Sequence, residues 1–214
     1  MSTKSCVVVD YEIGNVFSVM QALKRNGVEA ELTGDLDRVR NAERLILPGV
    51  GAFGRAADRL RALGLDEAVS DFIATERPFM GICVGMQLLM ERGLEFGEHQ
   101  GLGYFKGTVE KIDLQDENGA PLQVPVIGWN TVHEPAEGCW AGTPFASVDA
   151  GNAYYFVHSF SVRPENAQDI CAVAKVGNGE AVSAIQRDNI LGVQFHPERS
   201  SDGGLAFLNG FLEQ

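Results

Sequence analysis

The 214-residue chain is short of positive charge: 17 lysines and arginines stand against 29 aspartates and glutamates, a formal net charge of −12. No basic cluster offsets this, which argues against nucleic acid and anionic membrane surfaces as partners. Long apolar runs are also missing. No stretch approaches the roughly 20 residues that cross a bilayer, and Met1-Ser2-Thr3-Lys4-Ser5 leads into a short strand pattern rather than the apolar core of a signal peptide, so a cytoplasmic protein is expected. Cysteine is sparse. Cys6, Cys83, Cys139 and Cys171 are widely and irregularly spaced, a pattern that suggests neither a disulfide framework nor a zinc site. The glycine-rich stretch Pro48-Gly49-Val50-Gly51 lacks the Gly-Lys-Ser/Thr ending of a phosphate loop. Repeats, low-complexity segments and linkers are absent too, so one domain over 1–214, long enough to bury a full core, is expected.

What the chain does have is Gly81-Ile82-Cys83-Val84-Gly85, directly after the apolar run Pro78-Phe79-Met80. A strand that turns sharply into a helix at a nucleophile needs glycines two before and two after it, because Cβ atoms there would collide. The sulfur of Cys83 is then exposed at the carboxyl end of a strand and at the start of a helix expected to run from Val84 through Met90, where free N–H groups favour a thiolate. Taken alone, a cysteine between two glycines also fits a buried core position. A second element, Gln194-Phe195-His196-Pro197-Glu198, closes the apolar run Ile190-Leu191-Gly192-Val193. It supplies a base at a strand tip and, beyond the rigid Pro197, a carboxylate to orient it. Cys, His and acid together make an activated thiol: the imidazole takes the thiol proton, the carboxylate holds one tautomer, and the thiolate attacks a carbonyl carbon. Such chemistry needs N–H donors for the developing oxyanion. One comes from the residue after the nucleophile, Val84, and the loop at Gly49, Val50 and Gly51, which follows the strand pattern Leu45-Ile46-Leu47, is the candidate for the other.

The order of elements fits this chemistry. Strand patterns at 6–9, 28–32, 44–47 and 79–82 alternate with helical spacing at 16–25, a short helix capped by Asp35, and a helical stretch over 55–74 with a break near Gly64. This predicts an α/β fold: a mostly parallel central sheet with helices on both faces and ligands at the carboxyl ends of its strands, where all three motifs fall. After Gly101 the pattern turns β-rich, with strands expected at 108–114, 124–129, 154–160, 170–176, 181–186 and 190–195 joined as antiparallel neighbours, a turn at Asn118-Gly119, and a last helix over 205–212. His158 reads as a positioned strand histidine, and His99 and His133 as surface residues.

Together, Pro48-Gly49-Val50-Gly51-Ala52-Phe53, Gly81-Ile82-Cys83-Val84-Gly85-Met86-Gln87, Gly128-Trp129-Asn130, Tyr155-Phe156-Val157-His158-Ser159-Phe160 and Gln194-Phe195-His196-Pro197-Glu198 closely resemble the class I (triad) glutamine amidotransferases, from Asp10 to the final helix. The resemblance implies a flavodoxin-like glutamine amidotransferase type 1 domain with Cys83 as nucleophile, His196 as general base and acid, and Glu198 as its orienter. It places oxyanion donors at Gly49, Val50, Gly51 and Val84, and Gln87, Glu95 and Ser159 beside the substrate glutamine. It implies no cofactor and no metal. It further implies a separate synthase subunit of (β/α)-barrel type, which acts as a cyclase and forms a heterodimer across Asn15, Trp129, Tyr155 and Arg199, because nothing in this chain is left to use the ammonia released; from the residues alone, Trp129 and Tyr155 fit core aromatics equally well. Two positions depart from the family pattern: Glu12 follows Asp10-Tyr11 where the family writes glycine, and Arg199 follows His-Pro-Glu where it writes lysine. They leave room for a paralogous glutaminase that feeds amidination of a surface sugar. A non-catalytic binding module on the same fold is disfavoured by the intact Cys83, His196 and Glu198. A cysteine peptidase of related fold would have no reason to carry both the Pro-Gly-Val-Gly and the Gln-Phe-His-Pro-Glu segments.

Overall fold

The computed structural model describes residues 4–116, 118–149 and 151–214. Short apolar runs of the first half form the buried strands β1 (Ser5–Val9), β3 (Leu45–Gly49) and β4 (Phe79–Cys83), with the more exposed β2 (Glu29–Thr33) at the sheet edge, alternating with helices α1 (Val16–Arg25), α2 (Leu36–Arg40), α3 (Phe53–Ala62) and α4 (Leu65–Ile73). Amphipathic spacing decides which helix faces turn inward: Val19, Ala22 and Leu23 of α1 are buried, as are Ala68, Val69 and Phe72 of α4. Asp35 caps α2 by accepting the Arg38 N–H at 2.9 Å. The expected break between α3 and α4 falls at Gly64, whose φ of +67° reverses the chain.

Beyond the one-turn helix α5 (Val84–Gln87) come β5 (Met90–Gly93), β6 (His99–Gln100), β7 (Phe105–Lys111), β8 (Val126–His133), β9 (Ala153–His158), β10 (Phe160–Pro164), β11 (Ile170–Val176), β12 (Gly179–Arg187), β13 (Ile190–Val193) and the last helix α6 (Ser201–Leu212). A nine-stranded sheet has the order β2-β1-β3-β4-β13-β12-β11-β8-β9. Its first five strands are parallel, and from β13 onward each neighbour is antiparallel. Helices cover both faces, with α1 against α6 in one group and α2, α4 and α3 in the other. A second sheet has the order β10-β7-β5-β6. The step that matters for function is the return of β13 to lie parallel beside β4, with Val193 opposite Ile82. It brings the segment after residue 193 to the carboxyl end of the strand that ends in Cys83.

Three expectations are corrected. The helix expected from Val84 to Met90 stops at Gln87. Carbonyls of Leu88, Leu89 and Met90 are taken instead by the N–H groups of Leu102, Phe105 and Gly103 at 2.7, 3.1 and 3.2 Å, so their backbone is spent on the following segment and continues as a strand. Four residues carry little macrodipole, which removes most of the helix contribution expected at the sulfur. The strand expected over 154–160 is two strands in different sheets, parted at Ser159, whose carbonyl accepts the Ile112 N–H at 2.9 Å. Of the strands expected after Gly101 as antiparallel neighbours, β13 and β7 each also have a parallel partner, β4 and the unexpected strand β5 respectively.

Candidate active site

Cys83 ends β4 with φ 55° and ψ −111°, a backbone state that costs a residue with a Cβ about 1–3 kcal/mol. The neighbouring glycines make the turn sterically feasible. A Cβ on Gly81 would lie 2.6 Å from the Gly85 carbonyl oxygen, and one on Gly85 would strike the Leu47 carbonyl. Strand pairing on both sides, Gly49 opposite Cys83 and Val193 opposite Ile82, holds the strained residue in place.

His196 lies just past β13 in the turn that Pro197 begins. Its N–H donates to the Tyr155 carbonyl at 2.9 Å, and its carbonyl accepts the Ser200 hydroxyl at 2.6 Å, so the backbone is fixed from both directions. Nδ1 bonds Glu198 Oε1 at 2.8 Å, with both side chains buried. An acceptor carboxylate there places the proton on Nδ1 and leaves Nε2, which has no other hydrogen-bond partner, for the thiol. Burial opposes a charged imidazole, yet the nearby Cys83 sulfur and the Glu198 carboxylate outweigh it and raise His196 to about 10. A charged ring beside the sulfur is the environment that sustains a thiolate. Burial pushes Cys6 and Cys171 up to about 12 and keeps them as thiols.

A cavity of about 400 Å³ opens over these groups, lined by Val50, Gly51, Cys83, Val84, Gln87, Glu95, Ser159 and His196 among others. The sequence motifs and the family resemblance single out all of these residues, and Ser159 is among them although it parts two strands rather than lying within one. Gly49 does not line the cavity. It lies behind it, where a Cβ would sit 2.7 Å from both the Gly85 nitrogen and the Tyr11 hydroxyl oxygen, so its smallness serves close packing. Glu95 caps the start of α3 by accepting the Phe53 N–H at 2.8 Å.

Three further residues border the site: Gln194 and Tyr11, whose places sequence reasoning missed, and His158, the positioned strand histidine it expected. Gln194, fully buried, donates its side-chain amide to Cys83 Sγ at 3.6 Å. His158 lines the cavity and donates Nδ1–H to the Phe160 carbonyl at 2.9 Å, while its burial, opposed by that carbonyl and reinforced by His196, keeps it below the ordinary imidazole range and neutral. Tyr11, also fully buried, donates its hydroxyl to the Pro48 carbonyl at 2.7 Å. Burial first and the Cys83 charge second hold that hydroxyl well above its usual range, so it remains a donor. No local pattern marks the roles of Tyr11 and Gln194, because their partners lie 37 and 111 residues away in sequence.

Trp129, Tyr155 and Arg199 form one patch: the two rings meet edge to face at 6.1 Å, and the Arg199 guanidinium lies 4.4 Å above the Tyr155 ring. Asn15 borders a narrow cleft with Gly49, Val50, His196 and Glu198. Glu12 has φ 64°, the left-handed region that suits the glycine the family writes there, and its carboxylate pairs with Arg59. A second cavity, about 600 Å³, lies beside the first and shares Ala52 and Glu95 with it. His99, expected on the open surface, is half-buried there with its ring over Gly54. Among the described residues no cluster of His, Cys, Asp and Glu suited to a metal ion is found, and no helix is long and apolar enough to cross a membrane.

A cysteine elbow with a buried His-Glu pair at the carboxyl edge of a flavodoxin-like sheet defines a triad amidotransferase, and residues 7–214 match the family "Glutamine amidotransferase class-I". Solved structures of the same fold include one titled "Structure of PurLQS from Thermotoga maritima", 21% identical with a TM-score of 0.70 over 97% of each chain. Another is a glutamine amidotransferase from Thermotoga maritima, 12% identical with a TM-score of 0.63 over 100% of this chain and 98% of that one. Much nearer in sequence are imidazole glycerol phosphate synthase subunits HisH. That of Rhodopirellula baltica is 43% identical over 95% of each chain, and that of Mesorhizobium japonicum 45% identical over 96% of each. The chain belongs to the HisH family of class I glutamine amidotransferases.

Proposed function

We propose that the chain is the glutaminase of a heterodimeric imidazole glycerol phosphate synthase, cleaving glutamine through Cys83, His196 and Glu198 and passing ammonia to a (β/α)-barrel cyclase subunit. The observation that carries this is the strained Cys83 facing the unpartnered Nε2 of a histidine whose Nδ1 is bound to a buried glutamate. The Cys83 thiolate attacks the γ-amide carbon, and its oxyanion is met by N–H groups of Val84 and the Val50–Gly51 loop. His196 gives its proton to the amide nitrogen, the C–N bond breaks, ammonia leaves, and a γ-glutamyl thioester remains. Neutral His196 then takes a proton from water, the hydroxide adds to the thioester carbon, and the C–S bond breaks to release glutamate and restore thiolate and imidazolium. Gln87, Glu95 and Ser159, on the cavity wall, hold the amino-acid substrate. Four unpaired cysteines suit a reducing cytoplasm.

The test is Cys83→Ala in the assembled synthase. Glutamine-dependent product formation should vanish while ammonium salts still support the cyclase, since the lesion precedes ammonia. Retained glutamine-dependent turnover would end the assignment.

A further inference from the structure

We propose that Gln194 is a catalytic residue whose side-chain amide donates a hydrogen bond to the Cys83 sulfur and stabilises the thiolate, with Gln87 as the positioning residue that fixes the direction of that amide. The proposal rests on Cys83 being the nucleophile. Gln194 Nε2 lies 3.6 Å from Sγ, and its Oε1 accepts Gln87 Nε2 at 3.0 Å. The second hydrogen of Gln87 Nε2 points to the Phe160 carbonyl, 3.3 Å away, an acceptor that His158 Nδ1 also uses. Both hydrogens of Gln87 are thus committed to acceptors. Gln194 can satisfy Gln87 only with its oxygen, so its N–H faces the sulfur and the opposite amide orientation is excluded. Gln194 is fully buried and Gln87 nearly so, which keeps water from replacing either bond. With α5 only one turn long, side-chain donors must do what the helix start does not. The titratable groups around the sulfur's cavity are Glu95 and His158 on its wall, His196 beside the sulfur with Glu198 bound behind it, and Tyr11, just past β1, whose hydroxyl feels the Cys83 charge. Of these His196 alone brings a positive charge, and Gln194 adds a neutral donor from another direction.

The experiment is alkylation of the isolated chain by iodoacetamide across pH, with each cysteine quantified by peptide mass, in wild type and Gln194→Met. Loss of one hydrogen bond to an ionised group should make the Cys83 thiol about tenfold less acidic, whatever the pH at which it ionises. The freed thiolate is more basic and about threefold more nucleophilic. Alkylation of Cys83 should therefore fall about threefold on the acid limb of the profile and exceed wild type about threefold on the alkaline plateau, so that the two profiles cross. Superimposed profiles, or a parallel fall at every pH as a displaced sulfur would give, overturn the role of Gln194. If Gln194→Met does not fold, Gln87→Met, which keeps Gln194, should show the same crossing with smaller amplitude, and an unchanged profile there overturns the proposal. A wild-type chain in which Cys83 is not the fastest thiol would instead defeat the nucleophile assignment itself.

Discussion

The chemistry proposed for this chain turns on a residue that pays a conformational cost to be where it is. Cys83 holds φ 55° because β3 and β13 grip the strand around it and Gly81 and Gly85 clear the space, and the same grip sets the sulfur against His196. The imidazole is the counter-ion, and its proton links the site to stability. An unfolded histidine releases its proton near 6.5, whereas folded His196 holds it to about 10. A raised folded value means a stabilising contribution that is complete below pH 6.5 and is lost as pH rises through about 10. Cys83→Ala removes the sulfur that, with Glu198, outweighs burial. The difference in unfolding midpoint between wild type and Cys83→Ala should therefore shrink as pH is raised from about 8 to about 10.5, read by thermal denaturation. A difference that stays level or widens would contradict a charged pair at the site.

At the scale of elements, the loop after β3 has one end held and one end free. Tyr11 pins the Pro48 carbonyl, and Gly49 is wedged against Gly85 and Val84, but Val50 is 37% exposed and Gly51, at φ +86°, has no atom within 4 Å of a Cβ position. A peptide between a fixed pivot and open space can rotate at little steric cost, which suits a donor withheld until the partner is loaded. The isolated chain should accordingly show weak glutaminase activity that rises about a hundredfold or more when the synthase and its ligand are added. Gly51→Pro removes the N–H at 51 and demands φ near −65°. It should reduce the stimulated rate about a hundredfold while leaving partner affinity within a fewfold, measured by glutamate release and by titration calorimetry. An isolated chain as fast as the loaded complex would dismiss the gate and leave the triad standing. The elements that position the triad were legible in sequence because each ends in a motif: Leu45-Ile46-Leu47 before the loop, Phe79-Met80 before the elbow, Ile190-Leu191-Gly192-Val193 before His-Pro-Glu. Where backbone partners are remote, legibility failed. Nothing in Leu88-Leu89-Met90 reveals that residues 102–105 will claim their carbonyls, and helical spacing alone read on through them. Gln194 was legible as part of a motif but not as a neighbour of the sulfur, since Gln87, which orients it, is 107 residues away.

For the whole molecule, a net charge of −12 discourages self-association, and what singles out a contact surface is an exposed aromatic patch bearing one arginine. Such a patch is present on the outer strands of the large sheet. Ile127 and Trp129 project from the same face of β8 at 62% and 51% exposure, and Trp129 lies opposite Tyr155 of β9, with Arg199 over the Tyr155 ring. Tryptophan, tyrosine and arginine are the residue types that dominate binding energy at interfaces. This patch is continuous with the triad: the Tyr155 carbonyl holds the His196 N–H, the Tyr155 N–H donates to Ser200 Oγ, and Ser200 in turn bonds the His196 carbonyl. A partner seated on the rings would therefore touch the backbone that carries His196, which gives the proposed coupling between synthase and glutaminase a physical route. Trp129→Ala should weaken association with the cyclase about 30-fold, the size of a hot-spot residue. Because the side chain is half exposed and outside the catalytic cavity, the unstimulated glutaminase rate and the unfolding midpoint of the isolated chain should hardly change. Sedimentation or calorimetric titration with the cyclase reads the first and a glutamate assay with thermal denaturation the second. Unaltered affinity in Trp129→Ala would place the contact surface elsewhere on the chain.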